Sequence, residues 1–242
     1  HVNGVRSLVF TPDGASLISS GGETAIRVWQ WRTGVQTREL SGHSNDVNAL
    51  ALGASGVLFS ASSDGTVHLW DWASGVSKQE FSAQFPLLAI AVSADGKQVA
   101  AGGYQSRIQV WSVGEAIVPL LLRHNEGAIV RTMAFASDGT LISGDDQGII
   151  RLWNLRSHAA VELDTHSPRQ VNAVRMSQDG RIFYTAGGDS FVYAWPLSTT
   201  DALALGCRHT LRKVSDDDWR DILTLYRQVM FAPRWQLRFC RR

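Results

Sequence analysis

Ser60, Asp64 and His68 fall within nine positions of one another in the stretch SASSDGTVHLWDW, residues 60–72. A hydroxyl, a carboxylate and an imidazole are the groups of nucleophilic acyl transfer. In that chemistry the imidazole accepts the proton of the attacking hydroxyl and the carboxylate orients the ring. The serine must then stand in an open cleft beside donors for an oxyanion, and no nucleophile-elbow motif occurs in the chain. The stretch carries a second pattern, Asp-Gly between two apolar–polar alternations, which is the mark of a β-hairpin. Other chemistry-bearing motifs are absent from the sequence: it holds no Cys-x-x-Cys, His-Glu-x-x-His, P-loop or Gly-x-Gly-x-x-Gly. No metal or cofactor is expected from it.

The elements that position these residues repeat. Trp29, Trp70, Trp111, Trp153 and Trp195 end the phrases IRVWQW, VHLWDW, IQVWSV, IRLWNL and VYAWPL, at intervals of 41 or 42 residues. Upstream of each comes an alternating phrase: VRSLVFTPDG, VNALALGASG, LLAIAVSADG, VRTMAFASDG and VNAVRMSQDG. Between the two lies a third: LISSGG, LFSASSDG, VAAGGY, LISGDDQG and FYTAGGD. Each unit offers three strands joined by turn signals, and a fourth follows the Trp, as at residues 35–40 and 76–81. A four-stranded sheet of this kind is apolar on both faces, so copies must stack face to face to bury them. The fold class is all-β.

Length and composition agree with this. The chain has 242 residues, 44% hydrophobic and 19% charged, enough for a substantial core. Its apolar runs are too short to span a bilayer, and no targeting signal precedes the repeat. Cys207 and Cys240 make no disulfide framework, which fits a reducing, cytoplasmic setting. The net charge of +1 is uneven: residues 201–242 carry nine basic and five acidic residues. A basic tail can meet nucleic acid, but its charges are interleaved with acids and apolar residues, so a helical surface is the expectation.

The units resemble the WD-repeat family of β-propellers. Gly42-His43, the Asp64-Gly65 turn and Trp70-Asp71 stand at the family's spacing, and the likeness covers residues 1–197. The resemblance implies five blades, an incomplete ring of a seven-bladed type with further blades upstream of His1, and hydrogen-bonded tetrads inside complete blades. These would be His43, Ser60, Asp64 and Trp70 in repeat two, and His166, Thr185, Asp189 and Trp195 in repeat five. The tetrad answers the opening alternative: a buried indole N–H needs an acceptor, a hydroxyl can supply it, and the imidazole and carboxylate complete the chain. His68 is then a packed or half-exposed histidine. Repeat one has Glu23, repeat three Gln84, Ala101 and Gln105, and repeat four Gln147 at positions of the pattern. Those three blades are expected to rely on apolar packing.

The resemblance also implies a non-catalytic scaffold for protein or peptide partners, the docking part of a larger signalling or regulatory protein, with no membrane and no small-molecule substrate. Partners dock on the top face, which alignment places at Arg6, Asp46, Asn48, Arg131 and Asn172, with Leu87 and Ala89 in repeat three. Tyr104 and Asp146 join them from the turns. Arg6, Tyr104 and Arg131 are the favoured anchors, since Arg and Tyr dominate interfaces. The alternatives are a propeller hydrolase or lactonase, which needs carboxylates or histidines on the inner strands, and nucleic-acid contact through the tail. Residues 198–242 are expected to form a separate helical extension: Ser198 and Ser215 begin capping boxes. Trp219, Ile222, Leu223, Tyr226 and Met230 follow at helical spacing. Around Cys207 and Trp219 this segment looks like the extension of bacterial multidomain WD-repeat proteins.

Overall fold

A computed structural model describes residues 1, 3–53, 56–114, 118–164, 170–189 and 191–197. The expected helical extension, both cysteines and His166 lie outside the described residues. The chain forms five antiparallel meanders in sequence order. Blade one is β1 (Val5–Phe10), β2 (Leu17–Gly21), β3 (Ile26–Gln30) and β4 (Val35–Leu40). Blade two is β5 (Val47–Leu52), β6 (Leu58–Ser62), β7 (Thr66–Asp71) and β8 (Val76–Ser82). Blade three is β9 (Leu87–Val92), β10 (Gln98–Gly103), β11 (Arg107–Ser112) and β12 (Leu120–Arg123). Blade four is β13 (Val130–Phe135), β14 (Leu141–Asp145), β15 (Ile149–Asn154) and β16 (Ala159–Asp164). Blade five has β17 (Val171–Met176), β18 (Ile182–Gly187) and β19 (Val192–Pro196) among the described residues. The one helical piece in them is a single 3-10 turn, Tyr104–Ser106.

The innermost strands β1, β5, β9, β13 and β17 lie side by side in that order, and each successive blade packs on the one before. The core is accordingly four clusters, one per blade junction. Ile18, Ile26 and Val28 of blade one meet Leu50, Leu58 and Trp70 of blade two. Phe59, Leu69 and Phe81 meet Ile90, Val99 and Trp111. Ile108 and Leu122 meet Met133, Leu141 and Trp153, and Ile142 and Ile150 meet Val174 and Phe183. Each junction is apolar on both sides because alternate residues of a central strand point to opposite neighbours. The outermost faces differ: Val5, Leu8 and Phe10 of β1 are more than half exposed, as are Phe191 and Val192 in blade five. Those are the faces against which no further described blade packs.

The turns keep the repeat in register. Gly65 has φ +82°, and the Phe85 backbone lies 3.2 Å from where its Cβ would stand. Only glycine combines that left-handed backbone with so close an approach.

Candidate functional site

Two groups of residues carry the functional question: the internal polar chains and the end of the disc formed by the inner strands.

In blade two the Trp70 indole N–H donates to Ser60 Oγ at 2.8 Å, and the Ser60 hydroxyl donates to His43 Nε2 at 2.6 Å. His43 Nδ1–H donates to Asp64 Oδ2 at 2.9 Å. Asp64 also accepts from the Ser44 N–H and from the Thr66 hydroxyl and N–H. Burial works against its charge, but these bonds together outweigh it and hold the carboxyl at about 2. Burial pushes the His43 imidazole below its ordinary value, against the opposing bond from Asp64, and the neighbouring His68 adds to the fall. His68 is packed rather than half-exposed: its ring stacks on Trp70 at 5.2 Å and sits 4.3 Å from the His43 ring. Burial lowers it too.

This has the connectivity of a serine–histidine–aspartate triad, with His43 rather than His68 as the imidazole. Its serine is 0% exposed and accepts a tryptophan N–H. A nucleophile needs access to substrate, and this one is sealed between blades. Among the described residues, no group of three or more His, Cys, Asp or Glu could hold a metal ion.

The structure corrects the expectation for blades one and four. In blade one Trp29 donates to Ser19 at 2.7 Å, Ser19 bonds His1 Nε2 at 2.6 Å, and His1 Nδ1 reaches Glu23. Glu23, six residues before Trp29 as Asp64 is before Trp70, takes the aspartate's place. In blade four Trp153 donates to Ser143 at 2.8 Å and Ser143 to His124 at 2.7 Å. His124 Nδ1 then donates to Asp145 at 3.1 Å, while Gln147 is exposed. The acid has moved two residues toward the strand, where it is 0% exposed and also accepts the N–H groups of Gln147 and Ile149. In blade five Trp195 donates to Thr185 at 2.8 Å and Asp189 accepts from the Tyr193 hydroxyl at 2.9 Å. In blade three, Ala101 offers no acceptor, and the buried Trp111 Nε1 has no partner among the described residues.

The other group lies at one end of the inner strands. All five inner strands carry a bulge there. The residues left out of the pairing are Arg6, Asn48, Leu88, Arg131 and Asn172. A bulge bends the strand and re-aims one side chain. In every blade a turn N–H closes the same end: Gly22, Ser63, Tyr104, Asp146 and Gly188 donate to the carbonyls of Gly4, Asp46, Pro86, Ile129 and Gln170. In blade three the expected pair Leu87 and Ala89 is wrong, since both are buried and the bulged residue is Leu88.

The named residues are not equally available. Arg6 forms an ion pair with Asp46 at 2.7 Å and hydrogen-bonds Asn48. Asn48 is buried, its amide bridging Ser63 Oγ and the Leu87 carbonyl. Asp146 caps the Ile129 N–H at 2.7 Å. Tyr104 is 44% exposed, and Arg131 and Asn172 are exposed.

The family described as "WD domain, G-beta repeat" matches residues 1–30, 34–71, 75–112, 118–154 and 159–196, one match per blade. The chain belongs to the WD-repeat family. It is 32% identical over 203 residues to apoptotic protease-activating factor 1 of Rattus norvegicus, covering 78% of this chain and 16% of that protein. To the same factor of Homo sapiens it is 29% identical over 212 residues, covering 84% and 17%. To the target of rapamycin complex subunit wat1 of Schizosaccharomyces pombe it is 24% identical over 190 residues, covering 74% and 58%. The chain thus spans about a sixth of the length of the two apoptotic factors. These WD-repeat relatives are eukaryotic and give no support to a bacterial-type affiliation. No helix of the described residues is long and apolar enough to cross a membrane.

Proposed function

We propose that this WD-repeat chain is a non-catalytic scaffold for protein partners, docking them on the bulged end of its inner strands. The observation that carries the reading is the set of five bulges in register, which turns one side chain per blade to the same end of the disc. Rigid repeated sheets presenting variable side chains at their loops are a common way to build a binding surface. The sealed serines argue against acyl transfer, and the inner-strand phrases supply no converging carboxylates for a lactonase-type site. The relatives' names point the same way, one being a factor that activates a protease and another a subunit of a complex. A docking role within signalling or regulation extends that likeness to this chain.

Arg131 and Tyr104 are the anchors, since Arg6 is already spent on Asp46. A pull-down comparing the wild-type chain with Arg131→Glu and Tyr104→Ala tests this. The expected result is loss of the partners that wild type recovers, with Arg6→Ala having a smaller effect. Equal recovery by the Arg131→Glu, Tyr104→Ala chain would remove the top-face assignment.

A further inference from the structure

Three arginines stand on third strands, on the same strand face as the repeat tryptophan: Arg27, Arg107 and Arg151. Two have a carboxylate on their own blade. Arg27 Nη2 lies 2.9 Å from Glu23, and Arg151 Nη2 lies 2.6 Å from Glu162. Arg107 has no carboxylate within ion-pair reach among the described residues, where its buried Nε, like that of Arg27, has no acceptor. Its cross-strand partner is Arg123 on β12, which likewise has no ion pair among the described residues. Residues directly opposite on an antiparallel pair share a face with Cβ atoms about 5 Å apart, and like charges there repel. The next pair on that face is Gln109 and Leu121. Gln109 Oε1 is buried without a partner among the described residues, and Leu121 is 43% exposed. The edge strand of blade three therefore presents an exposed Leu and an exposed Arg at two-residue spacing, above a second unneutralised Arg.

We propose that this rim of blade three binds an extended acidic segment of a protein partner. One carboxylate lies between Arg107 and Arg123, and an apolar side chain two residues away covers Leu121. A planar guanidinium with no acid partner matches a carboxylate's two oxygens, and the two-residue period of an extended segment matches the Leu–Arg spacing. The site rests on the reading of the chain as a protein-interaction scaffold but uses the rim, not the bulged end.

The experiment is fluorescence anisotropy on the purified full chain with a labelled, acetylated and amidated peptide Gly-Leu-Ser-Glu-Gly. Saturable binding is expected, weakened at least about tenfold by Arg123→Gln and to the same degree by Gln in place of the peptide's Glu. Arg123 is exposed, so its replacement leaves the blade folded, which a thermal melt verifies. Arg107→Lys keeps the charge, loses the fork and is expected to fall between. The proposal is overturned by no binding at about 1 mM peptide, or by unchanged affinity with Arg123→Gln. Displacement by inorganic phosphate as tight as peptide binding would mark a site for any small oxyanion and sink the acidic-segment assignment. The pull-down with Arg131 and Tyr104 replaced reads the other surface, so either surface can fail alone.

Discussion

Blades two and three are the same four-stranded meander, packed against each other, yet they satisfy their tryptophans differently. Trp70 sits at the head of a chain through Ser60 and His43 to Asp64. Trp111, equally buried, packs 5.6 Å from Phe81 and among Ala101 and Phe85, with its N–H unpaired. Blade three also turns through Gln105 and Ser106, both at positive φ, where blade two uses Gly65. A blade therefore forms without the polar chain. Strand pairing and apolar junctions build the sheet, and the tetrad adds local stability and fixes the turn. The unpaired indole of blade three is a cost that neighbouring burial offsets.

The contrast can be broken at the strongest chain first. Asp145→Ala strips a fully buried acceptor from His124 and from two backbone N–H groups, so a loss of about 2–4 kcal/mol is expected by urea titration. Gln147→Ala, at the position the sequence pattern favours, should stay within about 0.5 kcal/mol. If the two losses are reversed, the acid of blade four is misassigned. His43→Ala should cost about 1–3 kcal/mol, since it leaves Ser60 and Asp64 short of a partner. Its counterpart in blade three, Gln84, is exposed, and Gln84→Ala should leave the urea midpoint almost unmoved. In the opposite direction, Ala101→Ser gives Trp111 Nε1 an acceptor and is expected to stabilise by about 0.5–1.5 kcal/mol. A destabilised Ala101→Ser chain would mean that the apolar packing leaves no room for the hydroxyl.

The smallest effect is the acid sensitivity of the blade-two histidines. Burial holds His43 and His68 below the ordinary value of 6.5, so under that pH the unfolded chain binds protons that the folded blade refuses. Stability is complete above 6.5 and falls as pH drops beneath it. Asp64, held at about 2 against an ordinary 3.8, adds stability that is lost only as pH falls from 3.8 toward 2. The wild type should lose more stability than His68→Gln between about pH 7 and 5. Parallel pH profiles would place the titration elsewhere.

Much of this was legible because tryptophans at fixed intervals and alternating phrases map directly onto strands. The phrases VRSLVF, VNALAL, LLAIAV, VRTMAF and VNAVRM are β1, β5, β9, β13 and β17 residue for residue. What spacing missed was which acid closes each chain. Glu23 completes blade one from the position that Asp64 holds in blade two, its carboxylate meeting His1 Nδ1. Asp145 completes blade four from two positions earlier, beside a loop after His124 that is two residues longer than its counterpart in blade two. The hint was present in the run Gly144-Asp145-Asp146, but position alone could not say which acid turns inward. The bulges were hidden as well, since an extra residue leaves no mark in an apolar–polar alternation, and so Leu88 was passed over for Leu87 and Ala89.

The sequence by itself determined the number of blades, the strands within them and the tryptophan faces that must be covered, because these follow from periodicity and from the need to bury apolar surface. Only the tertiary structure decided which carboxylate reaches each histidine and which arginines are already neutralised. Those outcomes depend on distances between neighbouring strands and blades, and residues far apart in the chain meet there only after the sheets have stacked.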